Sequence, residues 1–524
     1  MINIFKSSLL FRFALKTIDI YKEGAIHNTI EATKKHYQTS KTRILWEKFI
    51  TSDSALYTSL YERVVKQIIR FLQYLGAIYE QSFLCKIFNF FVNLFVNLTT
   101  SSLVLRPFTK IGFKGFLLVI FGLYLPIDYF IRSVLQIASL ASVWDELLMI
   151  LFFVTVIYRI ALKKSPNAPQ TTPLDSYIFL FLAVGLFLMC WVSPIFYIAV
   201  AGYRAVVQYI LWFFVIVRLI EDDRDFKILY NTLIAVIIAL GIHCIYQFIV
   251  AVEVPATWTS SSEESVRTRV FSLTGSPNVM GSLLVLLTPM VTAYFYTAKS
   301  LLGKLTAGFF TMLLCFAVLF TFSKGAWLGM ALAVVIFAIF VDRRIIALLL
   351  AAGATVVVFV PSVTNRITYL FTSDYAAASA VGGRSLRWSI GLGLLEECNA
   401  FFGFGLGRFG GAVAMQNQVI DSSYGFEYFY MDNYYLKTLV EMGYMGIAFY
   451  ILLLLAVVVL SVKAIGRVRN TNLFVPCVAM LSGMCGVLAH CYFENIFEVP
   501  YMVGYFWAMA AMIMYAGFIK QRKI

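Results

Sequence analysis

Apolar runs of about 20 residues recur along most of the chain from residue 113 onward, and each is long enough to cross a bilayer as a helix. Continuous runs of this kind exclude an outer-membrane barrel, whose strands alternate polar and apolar residues. Of the 524 residues, 60% are hydrophobic and only 13% are charged, which is too little charge to cover a soluble domain. The sequence therefore predicts an all-α polytopic membrane protein.

Hydropathy predicts about twelve transmembrane helices within a domain spanning residues 113–519. Two long connections interrupt them, 252–277 and 362–433, and the second is expected to form a large extracytoplasmic loop containing short helices, one of them over 384–397. The predicted cores of the spans are 113–133, 145–162, 176–193, 201–219, 229–251, 278–298, 305–322, 326–341, 345–361, 434–462, 473–491 and 500–518.

Basic residues are unevenly distributed among the connections. Alternate connections read "KKSPNAPQ", "RLIEDDRDFK", "KSLLGK", "DRR" and "KAIGRVRN", and they fall on the same side as the basic N-terminal region and the tail "KQRKI". The positive-inside rule assigns that side to the cytoplasm, so both termini are predicted to be cytoplasmic and both long loops to face outward. The net charge of +14 then reflects topology and contact with anionic membrane lipids, not nucleic-acid binding.

Residues 1–112 differ from the rest because charged and apolar residues are mixed, as in "YERVVKQIIRFLQYLGAIY". This pattern predicts an amphipathic helix with a basic side, suited to the anionic inner leaflet. A helical bundle that binds another part of the protein explains the pattern equally well. Either arrangement predicts an anchoring or regulatory region, cytoplasmic or at the membrane interface.

Cations are concentrated on the side that is predicted to face outward. Solvation alone explains any single one of them, but arginine is also the preferred ligand of phosphate. In "SVRTRVFSLTGSPNVMG", Pro277 and Asn278 are expected to begin a helix whose free N–H groups attract an anion. The predicted outward cations are Arg204, Arg267, Arg269, Lys324, Arg366, Arg384, Arg387 and Arg408.

The order of these motifs resembles the O-antigen ligase and polymerase family of bacterial membrane glycosyltransferases. An arginine-bearing segment with "SPN" comes first, followed by "TFSKGAWLG" between two spans, then "GGRSLRW" and "FGFGLGRF" in the long loop, and finally "DNYYLKTLVEMGYMGIAFY". The resemblance covers roughly residues 260–460, and the flanking spans agree with it.

The resemblance implies a lipid-sugar-dependent glycosyltransferase fold of the GT-C type in the bacterial cytoplasmic membrane. Its donor would be a glycan on undecaprenyl diphosphate at the outer face, and its acceptor a hydroxyl of a saccharide or lipid-linked glycan. Neither metal nor another cofactor is implied. Arg269, Arg384 and Arg408 match the family's basic positions best, and Arg267 and Arg387 are the nearest substitutes. A chain-length regulator or another envelope-assembly protein is a candidate partner.

Two departures from the family pattern affect the expected reaction. Lys324 stands where ligases usually carry arginine, and Asp432–Asn433 stand where they often carry a His–Asn pair. The missing histidine favours polymerisation of surface polysaccharide repeat units. Ligation to a lipid core stays open, and so does a flippase or transporter, which would have a similar length and hydropathy.

Asp432 lies in "YFYMDNYYLK", where a span is predicted to emerge from the membrane. A carboxylate in reach of the acceptor hydroxyl can take its proton as the anomeric carbon is attacked, and fixed arginines can stabilise the leaving diphosphate. The sequence thus predicts Asp432, Arg384 and Arg269 as catalytic residues. Asp432 capping the next helix is the alternative. The predicted substrate-binding residues are Arg204, Arg267, Asn278, Lys324, Arg387, Arg408, Asn433 and Tyr434.

Overall fold

The protein is described here from a computed structural model, which falls into two compact units, Met1–Ser54 and Ala55–Ile524. In the first unit the described part contains one helix, α1 (Lys41–Thr51). The described residues are 41–52, 60–83, 85–87, 89–90, 93–94, 97, 106–165, 167–255, 268–359, 364–365, 368–369, 371–373, 383–418 and 428–523.

In the second unit, all regular secondary structure among the described residues is helical. Short π or 3₁₀ turns extend α4, α8 and α19 at their C-terminal ends. The helices are α2 (Leu60–Glu80), α3 (Arg106–Gly122), α4 (Tyr124–Tyr129), α5 (Ala138–Ala141), α6 (Trp144–Ala161), α7 (Pro173–Trp191), α8 (Phe196–Val207), α9 (Trp212–Leu219), α10 (Asp223–Val250), α11 (Pro277–Thr297), α12 (Leu301–Phe320), α13 (Lys324–Phe340), α14 (Arg344–Phe359), α15 (Arg384–Glu397), α16 (Ala412–Asn417), α17 (Tyr434–Arg467), α18 (Phe474–His490) and α19 (Pro500–Met514).

Each of the twelve predicted cores coincides with a helix or a helix pair, and the all-α membrane architecture is confirmed. By length and composition, seven helices of the described chain can cross a membrane, or eight if a bent pair counts as one span. Helices α13, α14 and α18 are apolar but shorter, and α6 carries charges at both ends. A count of twelve spans therefore stays a prediction.

The first predicted span is the bent pair, in which Ile111–Gly122 and Tyr124–Leu135 meet at 67°. Pro126 lacks the N–H that would bond the preceding turn. The hydroxyl of Tyr505 compensates, because it donates to Gly122 O at 2.9 Å and accepts from Leu125 N at 3.1 Å. A side chain of α19 thus satisfies the backbone groups that the break exposes, as a bilayer interior requires.

The described residues of the two long connections meet near the ends of α11 and α18, since Arg269 contacts Asn278 and Arg384 contacts Phe493 O. This end of the helices is called here the loop end. Helix α18 packs against both α11 and α13, and the α19 region Pro500–Ile519 is entirely enclosed by other helices. This arrangement gathers the loop-end termini of α11, α13, α17 and α18 in one place.

Helix α2 packs along α6. The hydroxyl of Tyr61 donates to Asp175 at 3.0 Å, and Asp175 is also paired with Arg218 at 2.8 Å. One face of α2 therefore binds another part of the protein, as the second alternative for this region predicts. Its opposite face leaves Ile68 and Phe71 more than half exposed, as a membrane-surface helix requires. The domain boundary at residue 112 stays a prediction.

Candidate functional site

The glycine-rich segment before Arg408 is docked onto the first turns of α17. Backbone hydrogen bonds join Phe404 N to Val440 O at 2.7 Å and Gly405 N to Glu441 O at 3.0 Å. Gly443 makes this contact possible, since its φ is +64° and a Cβ there would lie 2.4 Å from the Gly403 nitrogen. Only glycine adopts such a conformation without strain. Docking of the glycine-rich segment on α17 therefore requires glycine at position 443.

Asn433 is the N-cap of α17, because its side-chain oxygen accepts from Leu436 N at 3.0 Å. The alternative in which Asp432 caps this helix is wrong by one residue. Asparagine and aspartate are both good caps, and the asparagine occupies the position whose side chain reaches the first turn. Asp432 is thereby left for other partners.

Asp432 is 9% exposed and is held mainly by residues of α15. Its Oδ2 accepts from Arg384 Nε at 2.9 Å, its Oδ1 accepts from Trp388 Nε1 at 3.1 Å, and Arg387 Nη1 lies 3.9 Å from Oδ2. The predicted helix over 384–397 is confirmed, with both arginines on one face. Because Asp432 is paired with cations, its carboxylate and the α15 arginines form one unit.

The turn after α18 joins this unit to a second arginine. Phe493 O accepts from Arg384 Nη2 at 2.9 Å, and Glu494 Oε2 accepts from Asn278 Nδ2 at 2.6 Å. Asn278 Oδ1 in turn accepts from Arg269 Nη2 at 3.1 Å. We call Arg269, Asn278, Arg384, Asp432 and Glu494 the arginine–carboxylate cluster.

Arg269 is fixed by the end of α12. Its Nε donates to Thr321 O at 3.0 Å, and the next residue, Val270, donates its N–H to Phe320 O at 3.1 Å. The arginine is 7% exposed. Asn278, which it contacts, lies in the first turn of α11, where Ser276 caps the helix. The predicted helix start at "SPN" is therefore confirmed.

Lys324 is the first residue of α13 and lies beside the turn that follows α18. Its neighbour Gly325 abuts the 490–494 turn, since a Cβ there would lie 2.4 Å from the His490 ring and 3.2 Å from Phe493 Cβ. The Lys324 ammonium is 5.4 Å from the centroid of the Tyr369 ring. The short turn between α12 and α13 thus borders the arginine–carboxylate cluster.

Residues 309–451 match the model of the O-antigen ligase family. This segment belongs to the O-antigen ligase family. A comparison with curated proteins returned no match to the chain. The family predicted from the order of motifs is confirmed, and it implies glycosyltransferase activity of the ligase or polymerase type.

The O-antigen ligase segment contains most of the predicted site but not all of the cluster. Lys324, Arg384 and Asp432 lie inside 309–451, whereas Arg269 and Glu494 lie on either side of it. The flanking residues therefore complete a cluster to which the matched segment contributes Arg384 and Asp432.

Other predicted binding residues lie apart from the cluster or serve visible structural contacts. Arg408 Nη1 donates to Phe404 O at 2.7 Å, and its guanidinium lies 4.0 Å from the Phe404 ring centroid. Arg204 pairs with Glu146. Tyr434 is 5% exposed. Arg267 falls outside the described residues, and for all four positions a substrate contact stays a prediction.

A buried ion-pair group supports the loop from the opposite side. Lys437 Nζ lies 3.0 Å from Glu441 Oε2 and 2.9 Å from Glu498 Oε1. The same carboxylates accept from the backbone N–H groups of Phe409 and Ala412, each at 3.1 Å. These charges are satisfied, as buried charges at a membrane boundary must be, and they hold the Arg408 segment in place.

Two members of the site were not among the predicted residues, namely Glu494 and Trp388. Trp388 is the tryptophan of "GGRSLRW", so its position in a family motif was an available signal. Glu494 lies in "CYFENIF" directly after a span, four residues after His490, a spacing that favours an i,i+4 side-chain pair and is also compatible with a proton relay or a sugar contact. Its contact with Asn278 depends on how distant helices pack.

Proposed function

We propose that this protein transfers a glycan from undecaprenyl diphosphate to an acceptor sugar hydroxyl at the outer face of the bacterial cytoplasmic membrane. We further propose that it polymerises surface-polysaccharide repeat units in this way. The observation that carries the proposal is the convergence of Arg269 and Arg384, from segments far apart in sequence, on the turn after α18.

The chemistry of the cluster supports transfer from a diphosphate donor. As the bond between the sugar and the diphosphate breaks, negative charge grows on the leaving oxygen, and fixed guanidinium groups stabilise it without having to reorganise. Arg384 and Arg387 each keep about a third of their side-chain surface exposed. They can therefore meet an anion while Asp432 fixes the orientation of Arg384.

The position of the cluster supports a lipid-borne substrate. It lies where α11, α13, α17 and α18 begin or end, which is the depth at which a polyprenyl carrier presents its diphosphate. The positive-inside rule predicts that this end faces away from the cytoplasm. Lys324, at the start of α13, adds a further cation beside the same turn.

Ligation to a lipid core or another acceptor is the second candidate. The description of the matching family as O-antigen ligase favours it, whereas Asp432–Asn433 in place of His–Asn favours polymerisation. Both reactions use the same donor, so the cluster serves either one. The acceptor alone distinguishes them.

The test is a transfer assay with purified full-length protein in lipid vesicles and no added nucleotide or metal. The donor is undecaprenyl-diphosphate glycan extracted from cells that lack this protein, supplied with and without a candidate lipid acceptor. A ladder from donor alone supports polymerisation, and one discrete product that requires the acceptor supports ligation. Movement of uncleaved donor across the bilayer without transfer would contradict both and indicate a transporter.

A further inference from the structure

The two carboxylates of the arginine–carboxylate cluster are held in different ways. Both oxygens of Asp432 are engaged, one by Arg384 and the other by the indole N–H of Trp388. These contacts hold the carboxylate against the guanidinium of Arg384 and the ring of Trp388. Asp432 is therefore suited to orienting Arg384.

Glu494 is held by a neutral group. Its Oε2 accepts from the amide of Asn278 at 2.6 Å, and its side chain is partly exposed. The Asn278 amide also accepts from Arg269, and the residue before Glu494 receives the second bond of Arg384. The Glu494 carboxylate thus lies between the two arginines proposed to bind the diphosphate, fixed in position by an uncharged amide.

We infer that Glu494, and not Asp432, accepts the proton of the acceptor hydroxyl during glycan transfer, while Asp432 positions Arg384. This inference rests on the proposed glycosyltransferase function. It follows from the arrangement in which one carboxylate is clamped by an arginine and an indole, whereas the other is held by an amide between two arginines.

The step balances in atoms and electrons. The acceptor oxygen forms a bond to the anomeric carbon, and the bond from that carbon to the diphosphate oxygen breaks. The electron pair of the broken bond stays on the diphosphate, facing the guanidinium groups. The proton of the acceptor hydroxyl passes to a Glu494 oxygen and is later lost to water or to the departing diphosphate.

The surroundings of Glu494 suit a group that gains and loses a proton. Withdrawal from water raises the pKa of its carboxyl above the ordinary value for glutamate, and the Asp432 carboxylate raises it further. Arg384, Asn278 and Arg269 act in the opposite direction without cancelling this effect. The thiol of Cys491 also faces it.

The experiment compares Glu494→Gln, Glu494→Asp and Asp432→Asn with wild type in the vesicle transfer assay. Glu396→Gln is the matched control, because Glu396 is an exposed glutamate on the same helix as Arg384. For each variant, kcat and kcat/KM are measured across pH, and binding of undecaprenyl diphosphate alone is measured separately. Thermal unfolding shows whether each variant is folded.

Glu494→Gln is expected to lower kcat by about 10²- to 10⁴-fold, the usual contribution of a general base. Binding of undecaprenyl diphosphate is expected to change less than the rate does. In wild type and Asp432→Asn, the rate should rise with pH through the pKa of Glu494, because the protonated carboxyl cannot accept a proton. This rise of the rate with pH, called here the acid limb, should be absent in Glu494→Gln. Glu494→Asp should recover part of the rate.

A folded Glu494→Gln variant with wild-type kcat and an unchanged acid limb would overturn the inference. Loss of the acid limb in Asp432→Asn instead would return the base to Asp432. Both of these outcomes leave glycan transfer intact. Failure of the wild-type protein to transfer glycan at all would overturn the proposed function itself, so the two failures are distinguishable.

Discussion

At the scale of single residues, Arg384 is the point on which the site depends. Its Nε contacts Asp432 and its Nη2 contacts Phe493 O, so one planar group joins α15, the start of α17 and the turn after α18. A guanidinium makes these contacts because its donors form a rigid fork. A lysine ammonium has the same charge but cannot hold this geometry.

We therefore predict that Arg384→Lys lowers kcat/KM for transfer by about 10²-fold, the size of effect seen when one donor to a developing oxyanion is lost. The rate is measured with purified protein in vesicles. Arg343→Lys is the matched control, since Arg343 is exposed in the short connection between α13 and α14, away from the loop end. Equal rates for Arg384→Lys and wild type would show that charge alone is sufficient.

At the scale of elements, the docking of the glycine-rich segment on α17 depends on Gly443. Its φ of +64° and ψ of −171° belong to a region that is essentially restricted to glycine, at a cost of about 1–3 kcal/mol for other residues. A Cβ would also meet the backbone of Phe401 and Gly403. The absence of a side chain at Gly443 is therefore what permits the contact.

Gly443→Ala is predicted to lower the free energy of unfolding by at least about 1–3 kcal/mol and to expose residues 400–411 to protease. Unfolding in lipid nanodiscs and limited proteolysis measure the two effects. Gly353→Ala is the control, because a Cβ at Gly353 in α14 meets nothing within 4 Å. Equal stability and proteolysis for the two variants would contradict the account.

The buried ion pairs of Lys437 with Glu441 and Glu498 allow a second prediction about α17. Lys437→Met removes the cation shared by Glu441 and Glu498 and leaves two carboxylates facing each other in a buried site. Loss of one member of a buried ion pair costs about 3–5 kcal/mol. The free energy of unfolding is expected to recover partly when Glu441→Gln and Glu498→Gln are added, whereas additive losses would show that the charges do not interact.

The helices were largely predictable from the sequence, because a long apolar run is a local signal. The site was only partly predictable. Arg384 and Arg387 share a face because of their spacing within one helix, but their contact with Asp432 depends on how α15 packs against α17. The alternative in which Asp432 caps α17 is one residue too early, since Asp432 and Asn433 are chemically similar as caps. Glu494 carries no motif, so its partners emerge only when α11 and α18 are packed together.

At the scale of the whole molecule, the central question is which side of the membrane the loop end faces. The basic connections predict that it faces outward. The expected result is that Glu396→Cys reacts with a membrane-impermeant maleimide on intact cells, whereas Arg343→Cys reacts only after permeabilisation. The background needs Cys190→Ser, because this cysteine is exposed, and serine at the partly exposed Cys315, Cys398 and Cys485. Labelling of position 343 on intact cells would contradict the predicted topology and indicate the reverse orientation.

The most direct measurement of the central claim is the release of undecaprenyl diphosphate alongside glycan transfer by the purified protein in vesicles. The account predicts that one carrier diphosphate is freed for each glycan transferred, and that Arg384→Ala lowers both rates together while Arg343→Ala changes neither. Donor that stays intact while it crosses the bilayer, or transfer that is unchanged in Arg384→Ala, would contradict it.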